Sequence, residues 1–287
     1  MNTSPINTPQ SQPDPIIVNV SGYRFVKLEY LPVLQADMQA ALVKAGVLGT
    51  ILLADEGINI ALSGRRSQIE AAKAYFNKQP TLRDIWLKES ESNFTPFSKL
   101  KVRIRHEIIA FDGAGASDKQ LKRPNAPSLS PQTVAQWLEE QRDFTLLDTR
   151  NTYEIESGTF TTAEHLDIGH FRDYQDAVKT ALKEGRLRLD KPVVTFCTGG
   201  IRCEKAAPWM LEQGFKEVYQ IEGGVLNYFE KTGGQHWDGD CFVFDDRVEV
   251  DKQLLPTGAT WCTDCQLTVS PGSVCPCQDS RTAMDTV

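Results

Sequence analysis

Long apolar runs are missing from this chain. The most core-like stretches, Val47 to Ala54 and Val193 to Cys197, fall far short of the ~20 residues that a membrane-spanning helix needs, so a helical membrane protein is excluded. No internal repeat is visible. The four histidines, His106, His165, His170 and His236, show no H-x-x-x-H spacing, and each reads as a surface or core residue rather than a ligand. Gly113-Ala-Gly115 lacks the third glycine of a dinucleotide fingerprint, and no two-His-one-carboxylate set can be read, so no flavin or iron cofactor is evident. Seven cysteines are an odd number, too scattered for a disulfide framework and clustered at the end, which suggests reactive thiols and metal. The N-terminus has no basic n-region or apolar h-region. It reads as a polar tail rather than a targeting signal, and the cytoplasm is the expected location.

What the chain does have is material for cores: 40% of its 287 residues are hydrophobic and 24% charged. At roughly 100–200 residues per domain, about two globular domains are expected. The formal charge of −7 is unevenly spread. Residues 1–125 carry 16 Lys and Arg against 12 Asp and Glu, a net +4, whereas residues 126–287 carry 15 against 26, a net −11. That asymmetry suits a first domain that meets a polyanion and a second that performs chemistry. It equally suits two ordinary solvated surfaces.

Residues 1–15, with four prolines among Ser, Thr, Asn and Gln, are expected to be a disordered leader. Residues 16–112 read as a strand (Tyr23 to Tyr30), a helix (Leu34 to Ala45), a strand pair (Gly49 to Ala54 and Ile58 to Ser63), a second helix and a last strand (Leu100 to Phe111). The second helix, Ser67 to Asn77, carries Ile69, Ala72 and Phe76 on one side. This order predicts a ferredoxin-like α+β domain. Residues 113–129, rich in Gly, Pro, Ser and Asn, read as a linker. Residues 130–234 open with an N-cap serine, Ser130, and Pro131 at the first helical position. Short buried strands at Phe144 to Leu147, Val193 to Phe196 and Val218 to Ile221 alternate with helices, which predicts an α/β domain with a parallel sheet. Residues 235–287 form a C-terminal extension with a Cys-rich tail.

The informative stretch is Val193-Val-Thr-Phe-Cys197-Thr198-Gly199-Gly200-Ile201-Arg202-Cys203. A buried strand delivers Cys197 to a glycine-rich loop, and a helix starts near Cys203, so backbone N–H groups can converge on the sulfur. Arg202 adds a fixed cation at the rim. Such a field lowers a thiol pKa and makes Cys197 the candidate nucleophile, the other reading being a buried structural cysteine beside an ordinary turn. Cys203 is placed to resolve an oxidised Cys197, or is simply a buried first-turn residue.

This loop resembles the active loop of the rhodanese domain, C-x4-R before a helix. Phe144-Thr-Leu-Leu-Asp148-Thr-Arg150 is similar to that family's strand ending in D-x-R, Tyr153-Glu154 to its acidic turn, and Ile221-Glu222-Gly223-Gly224 to its last strand and turn. The related phosphatases have five residues where this loop has four, so the resemblance implies sulfur, carried as a persulfide, rather than phosphate. Asp148 and Arg150 are auxiliary candidates, as chemistry or as a structural ion pair. The longer string CTGGIRCEKA, together with LLADEGIN, PFSKLKVRIRHEII and CFVFDDR, is more specific. Over about residues 20–265 these resemble the bacterial oxygen-dependent tRNA uridine hydroxylase family. The resemblance implies a ferredoxin-like domain joined to a rhodanese domain, tRNA as partner, dioxygen as co-substrate, and 5-hydroxyuridine at the wobble position, 34, as product.

Lys99, Lys101, Arg103 and Arg105 alternate with Leu100, Val102 and Ile104, so in a strand the four cations share one face. That stripe can hold RNA phosphates, with Arg65, Arg66, Lys122 and Arg123 as additions, or it is the polar face that solvent demands. Cys262-x2-Cys265 and Cys275-x-Cys277 supply the four thiols of a structural zinc site, or belong to a reduced flexible tail. Three functions remain in play: a tRNA hydroxylase using Cys197, a persulfide-forming sulfurtransferase, and a non-catalytic RNA-binding module.

Overall fold

A computed structural model of the chain describes residues 16–113, 119–275 and 277, so the expected leader lies outside the described residues. The first domain runs β1 (Ile17–Phe25), α1 (Leu31–Ala45), β2 (Leu48–Ala54), β3 (Gly57–Gly64), α2 (Arg66–Lys78), β4 (Lys88–Ser92) and β5 (Leu100–Ile104). Its sheet order is β4-β1-β3-β2-β5. β1 is antiparallel to β3 and β4, β2 is antiparallel to β3, and β5 is parallel to β2. Both helices lie on one face, where Met38, Leu42, Ile69 and Phe76 pack on Val18, Val20, Ile51, Leu53 and Ile60. α1 stops at Gly46, whose φ of 76° suits glycine and whose N–H caps the Leu42 and Val43 carbonyls.

The ferredoxin-like order holds, but two strands differ from the sequence expectation. β1 starts at Ile17, and Tyr30, expected to end that strand, instead takes a left-handed conformation (φ 52°) just before α1. More consequentially, the strand that completes the motif is β4, Lys88-Glu-Ser-Glu-Ser92, while Leu100–Ile104 is an added strand on the far edge. β4 has no apolar alternation because polar partners cover both its faces. Lys88 pairs with Glu230 of the second domain at 2.6 Å and Ser90 accepts from Arg247 of the C-terminal extension at 2.8 Å. Glu89 turns the other way, to Arg66 and Lys73 of α2.

The second domain comprises β6 (Ser128–Leu129), α3 (Pro131–Glu139), β7 (Thr145–Asp148), α4 (Thr152–Ile155), β8 (Gly158–Phe160), β9 (Glu164–His165), α5 (Tyr174–Lys183), β10 (Val193–Phe196), α6 (Cys203–Glu212), β11 (Val218–Ile221) and α7 (Gly224–Thr232). Its main sheet, β6-β11-β10-β7-β9, is parallel throughout. Helices cover both faces, which is why its strands are apolar without alternation. Leu147, Val193 and Val218 face α5 and α6, while Leu146, Val194 and Ile221 face α3 and α7. The Ser130 hydroxyl caps α3, accepting from Thr133 N–H at 3.1 Å. Ser128 and Leu129, within the stretch read as linker, supply the edge strand of this sheet.

The chain continues through β12 (Trp237–Gly239), which pairs with β8, then β13 (Cys241–Phe242) with β14 (Glu249–Val250), and β15 (Thr260–Trp261) with β16 (Thr268–Val269). Trp237, Val243, Val250 and Leu254 enter the second domain's core. In the first domain, Asn19, Ser21 and Tyr23 alternate with Val18 and Val20, so they point away from the helices, towards the second domain. The helix-free face of the first sheet is therefore the docking face. Among the described residues no helix is long and apolar enough to cross a membrane.

Candidate active site

β10 is buried along its whole length and is followed directly by Cys197, which opens a tight loop leading into α6 at Cys203. The loop closes on itself: the Gly200 N–H donates to Cys197 Sγ at 3.1 Å. Two glycines make this possible. Gly200 has a φ of 94°, and at Gly224 (φ 67°) a Cβ would lie 2.4 Å from the Cys197 carbonyl oxygen and 2.7 Å from Gly200 N. That close approach lets Val225 and Leu226, at the start of α7, cap the Cys197 and Thr198 carbonyls at 3.0 and 3.1 Å.

Burial opposes ionisation of Cys197. The Cys203 thiol, the Arg202 guanidinium and the Arg202 backbone N–H together outweigh it, bringing the pKa down to about 5. Cys203 moves the opposite way, raised by burial and by the neighbouring sulfur, so it remains a thiol that donates. Cys241, where burial outweighs the charge of Arg150 and the Thr198 hydroxyl, is pushed up to about 12. One thiol of the three is therefore prepared as an anion.

The sequence places Arg202 as a fixed cation at the rim. It is fixed, by Glu154 through two bonds of 2.5 and 2.6 Å, but lies 4% exposed inside the loop rather than at its rim. Glu154 is wholly buried and also accepts from the Asn151 N–H at 3.0 Å, fixing the short α4 against the loop. Thr198 leans on the same carboxylate at 3.5 Å and on the Phe242 carbonyl at 3.4 Å. Gly199 has open space where a Cβ would stand, and Ile201 is half-buried. Asp148 and Arg150 pair at 2.6 Å with no exposure; Asp148 also accepts from Thr159 at 2.8 Å, and Arg150 donates to Gly158 O at 2.7 Å and stacks 4.9 Å over Trp237. None of these bonds reaches Cys197.

The first domain contributes side chains that the sequence reading did not single out. Tyr23 donates to Glu204 at 3.2 Å, one residue past Cys203. Lys205, fully buried on α6, lies 2.9 Å from Glu56 in the β2–β3 turn and 2.7 Å from Glu107 beyond β5. Glu107 disperses its charge into the N–H groups of Phe111, Asp112 and Gly113, and with Lys205 these hold its pKa down against burial. Burial instead raises the pKa of Glu56. The strings LLADEGIN, RHEII and CEKA thus meet in one ion cluster that joins the first domain to the helix behind Cys197.

Residues 17–108 match the UPF0176 acylphosphatase like domain, and residues 130–231 match the rhodanese-like domain. A curated tRNA uridine(34) hydroxylase from Bordetella petrii is 44% identical over 250 residues, covering 85% of this chain and 97% of its own. One from Cupriavidus taiwanensis is 44% identical over 264 residues, covering 89% of this chain and 90% of its own. The chain belongs to the tRNA uridine(34) hydroxylase family. The solved rhodanese-like domain of an Anabaena sp. protein is 21% identical, with a TM-score of 0.33, covering 39% of this chain and 79% of that one.

In this hydroxylase-family chain the basic stripe lies on β5. Lys99, Arg103 and Arg105 are exposed, Lys101 is half-buried, and among the described residues none of the four forms an ion pair. Register places Arg103 beside Leu52, Leu52 beside Asn59, and Asn59 beside Tyr23. The stripe therefore shares a sheet face with Tyr23, about 14 Å away at three strand spacings. Of the further cations considered, Arg65 and Lys122 are exposed, but Arg66 is held by Glu89 and Arg123 is buried between Asp112 and Glu212.

The four tail cysteines come together. Their sulfurs all lie within 4.8 Å of one another, with Cys262–Cys277, Cys265–Cys275 and Cys275–Cys277 at 3.6, 3.3 and 3.2 Å. Disulfide sulfurs sit about 2.0 Å apart, whereas four thiolates at about 2.3 Å from one zinc stand about 3.8 Å apart. The backbone N–H groups of Cys265 and Asp264 lower the Cys262 pKa to about 6, favouring the ligating form. The β15–β16 hairpin presents this cluster and sets Trp261 against Tyr153 and Phe242, beside Glu154.

Proposed function

We propose that this protein hydroxylates uridine 34 of tRNA to 5-hydroxyuridine, with dioxygen as co-substrate and Cys197 as the catalytic residue. The observation that carries this reading is a thiolate-forming loop docked onto the first domain of a chain from this family, with Tyr23, Glu56 and Glu107 reaching across to α6. Cys197 acts as the anion, Cys203 holds a proton beside it, and Glu154 positions Arg202 to favour that state. The stripe of Lys99, Lys101, Arg103 and Arg105 binds tRNA phosphates. The cysteines 262, 265, 275 and 277 hold a structural zinc that anchors Trp261. A tRNA substrate supports a cytoplasmic location.

A sulfurtransferase is not favoured. The relatives that span most of this chain, from Bordetella petrii and Cupriavidus taiwanensis, bear the hydroxylase name, and a small-molecule sulfur transfer gives the docked first domain no role. A non-catalytic scaffold has no need of a buried thiol with its pKa brought to about 5. The test is genetic: in a strain lacking the gene, the wild-type chain restores 5-hydroxyuridine in total tRNA and Cys197→Ser does not. Restoration by Cys197→Ser would overturn the assignment.

A further inference from the structure

A cleft of about 400 Å³ lies between the two domains, beside the Cys197 loop. Tyr23 and Trp86 line it from the first domain, and Ser130, Glu204, Gln220 and Gly223 from the second. Ser130 directly follows β6, and Glu222 and Gly223, which also line the cleft, follow β11, so it opens at the carboxyl ends of the parallel strands, where α/β sheets bind their ligands. It adjoins the reactive loop: a Cβ on Gly200 would come within 2.9 Å of the Tyr23 hydroxyl oxygen.

The chemistry of its walls defines an occupant. Glu204 Oε1 accepts from Tyr23 at 3.2 Å and from Gln220 Nε2 at 3.1 Å. Glu204 Oε1 and Ser128 Oγ, both accepting from Nε2, fix the Gln220 amide, whose Oε1 is buried without a partner, and Glu204 Oε2 accepts nothing among the described residues. Glu204 Oε2 is therefore the acceptor on the cleft wall left without a donor. The wall cation Lys231 is held by Glu230 at 3.1 Å, and Glu222 adds negative charge, so a phosphate is repelled and an uncharged ring bearing an N–H is favoured. At the rim Trp86 is 50% exposed, a large flat surface with no protein ring on it among the described residues. Gly22 holds it there, since a Cβ at that position would lie 2.4 Å from the Trp86 carbonyl oxygen.

We propose that this cleft is the pocket for the target base, in which Trp86 stacks on a flipped-out uracil and Glu204 accepts its ring N3–H. The proposal rests on the tRNA reading and assigns its specificity. Uracil carries a hydrogen on N3, whereas cytosine presents a bare acceptor there, which the Glu204 carboxylate repels. A base in the cleft lies next to the loop that carries Cys197.

The test uses the full chain and anticodon stem-loop RNAs that differ only at position 34: uridine, cytidine or an abasic site. Wild type is expected to bind the uridine RNA at least about ten-fold more tightly than either other. Trp86→Ala removes the difference between uridine and abasic RNA. Glu204→Gln keeps an oxygen for Tyr23 and Gln220 but turns an N–H2 donor into the cleft, so discrimination of uridine over cytidine shrinks about ten-fold. Wild-type binding that is indifferent to position 34, or unaltered preferences in both variants, overturns the pocket. Product formation is read separately. Wild-type protein that discriminates at position 34 but makes no 5-hydroxyuridine sinks the hydroxylase reading and leaves the pocket standing. Variants with wild-type kcat/KM on tRNA sink the pocket alone.

Discussion

Replacing Arg202 with alanine removes two of the contacts that make Cys197 an anion, the guanidinium charge and its hydrogen bond. At a pKa of about 5, roughly 99% of Cys197 is thiolate at pH 7, against about 1% for an ordinary thiol near 9. Loss of the guanidinium is expected to raise the pKa by about two units or more, leaving half or less as thiolate at pH 7. The sign follows from linkage. A depressed folded-state pKa contributes stability above the unfolded value near 9 and loses it as pH falls towards 5, so the variant's stability depends less on pH in that window. Arg202→Ala also strands Glu154 as a buried carboxylate, a loss of about 3–5 kcal/mol. The combination Arg202→Met with Glu154→Gln removes both charges and recovers most of that stability without restoring the acidic thiol. The assay is the ultraviolet thiolate absorbance, taken as the difference between each protein and its Cys197→Ser counterpart across pH. A midpoint that stays near 5 in both Arg202 variants refutes the electrostatic account of the loop.

The domain junction gives a stability prediction: Lys205→Met leaves Glu56 and Glu107 facing each other without their cation and is expected to cost about 3–5 kcal/mol, lowering Tm by about 10 °C in thermal denaturation. An unchanged Tm shows that the cluster does not join the domains. Neutralising Lys99, Lys101, Arg103 and Arg105 together is expected to reduce the salt dependence of tRNA binding by about three units of log–log slope; an unchanged slope moves the RNA path elsewhere. Metal analysis of freshly purified protein is expected to find one zinc per chain, lost in the Cys262→Ser and Cys275→Ser variants, and zinc-free wild type removes the site from the account.

The site was more legible than the scaffold around it, for physical reasons. Cys197, the glycines and Arg202 stand together in sequence, so a strand, a curl and a helix start could be read from one segment. Glu154 was visible only as part of a turn, because nothing in a sequence of acidic residues marks the one that folds inward onto an arginine 48 positions away. β4 was missed because KESES has no apolar period; its sheet position is enforced by α2 cations on one face and the second domain on the other. Leu100–Ile104 was read as a strand correctly but given the wrong place, since alternation reports a strand's faces and not its neighbours. Tyr23, Glu56, Glu107 and Lys205 escaped notice for a related reason: each acts across the domain boundary, where sequence spacing carries no signal.

The most direct test of the central claim supplies purified protein with tRNA that lacks the modification, under isotopically heavy dioxygen, followed by mass analysis of the nucleosides. The account predicts 5-hydroxyuridine at position 34 carrying the heavy oxygen, with none formed without dioxygen and none by Cys197→Ser. Product that incorporates oxygen only from water, or that Cys197→Ser forms at the wild-type rate, would contradict it.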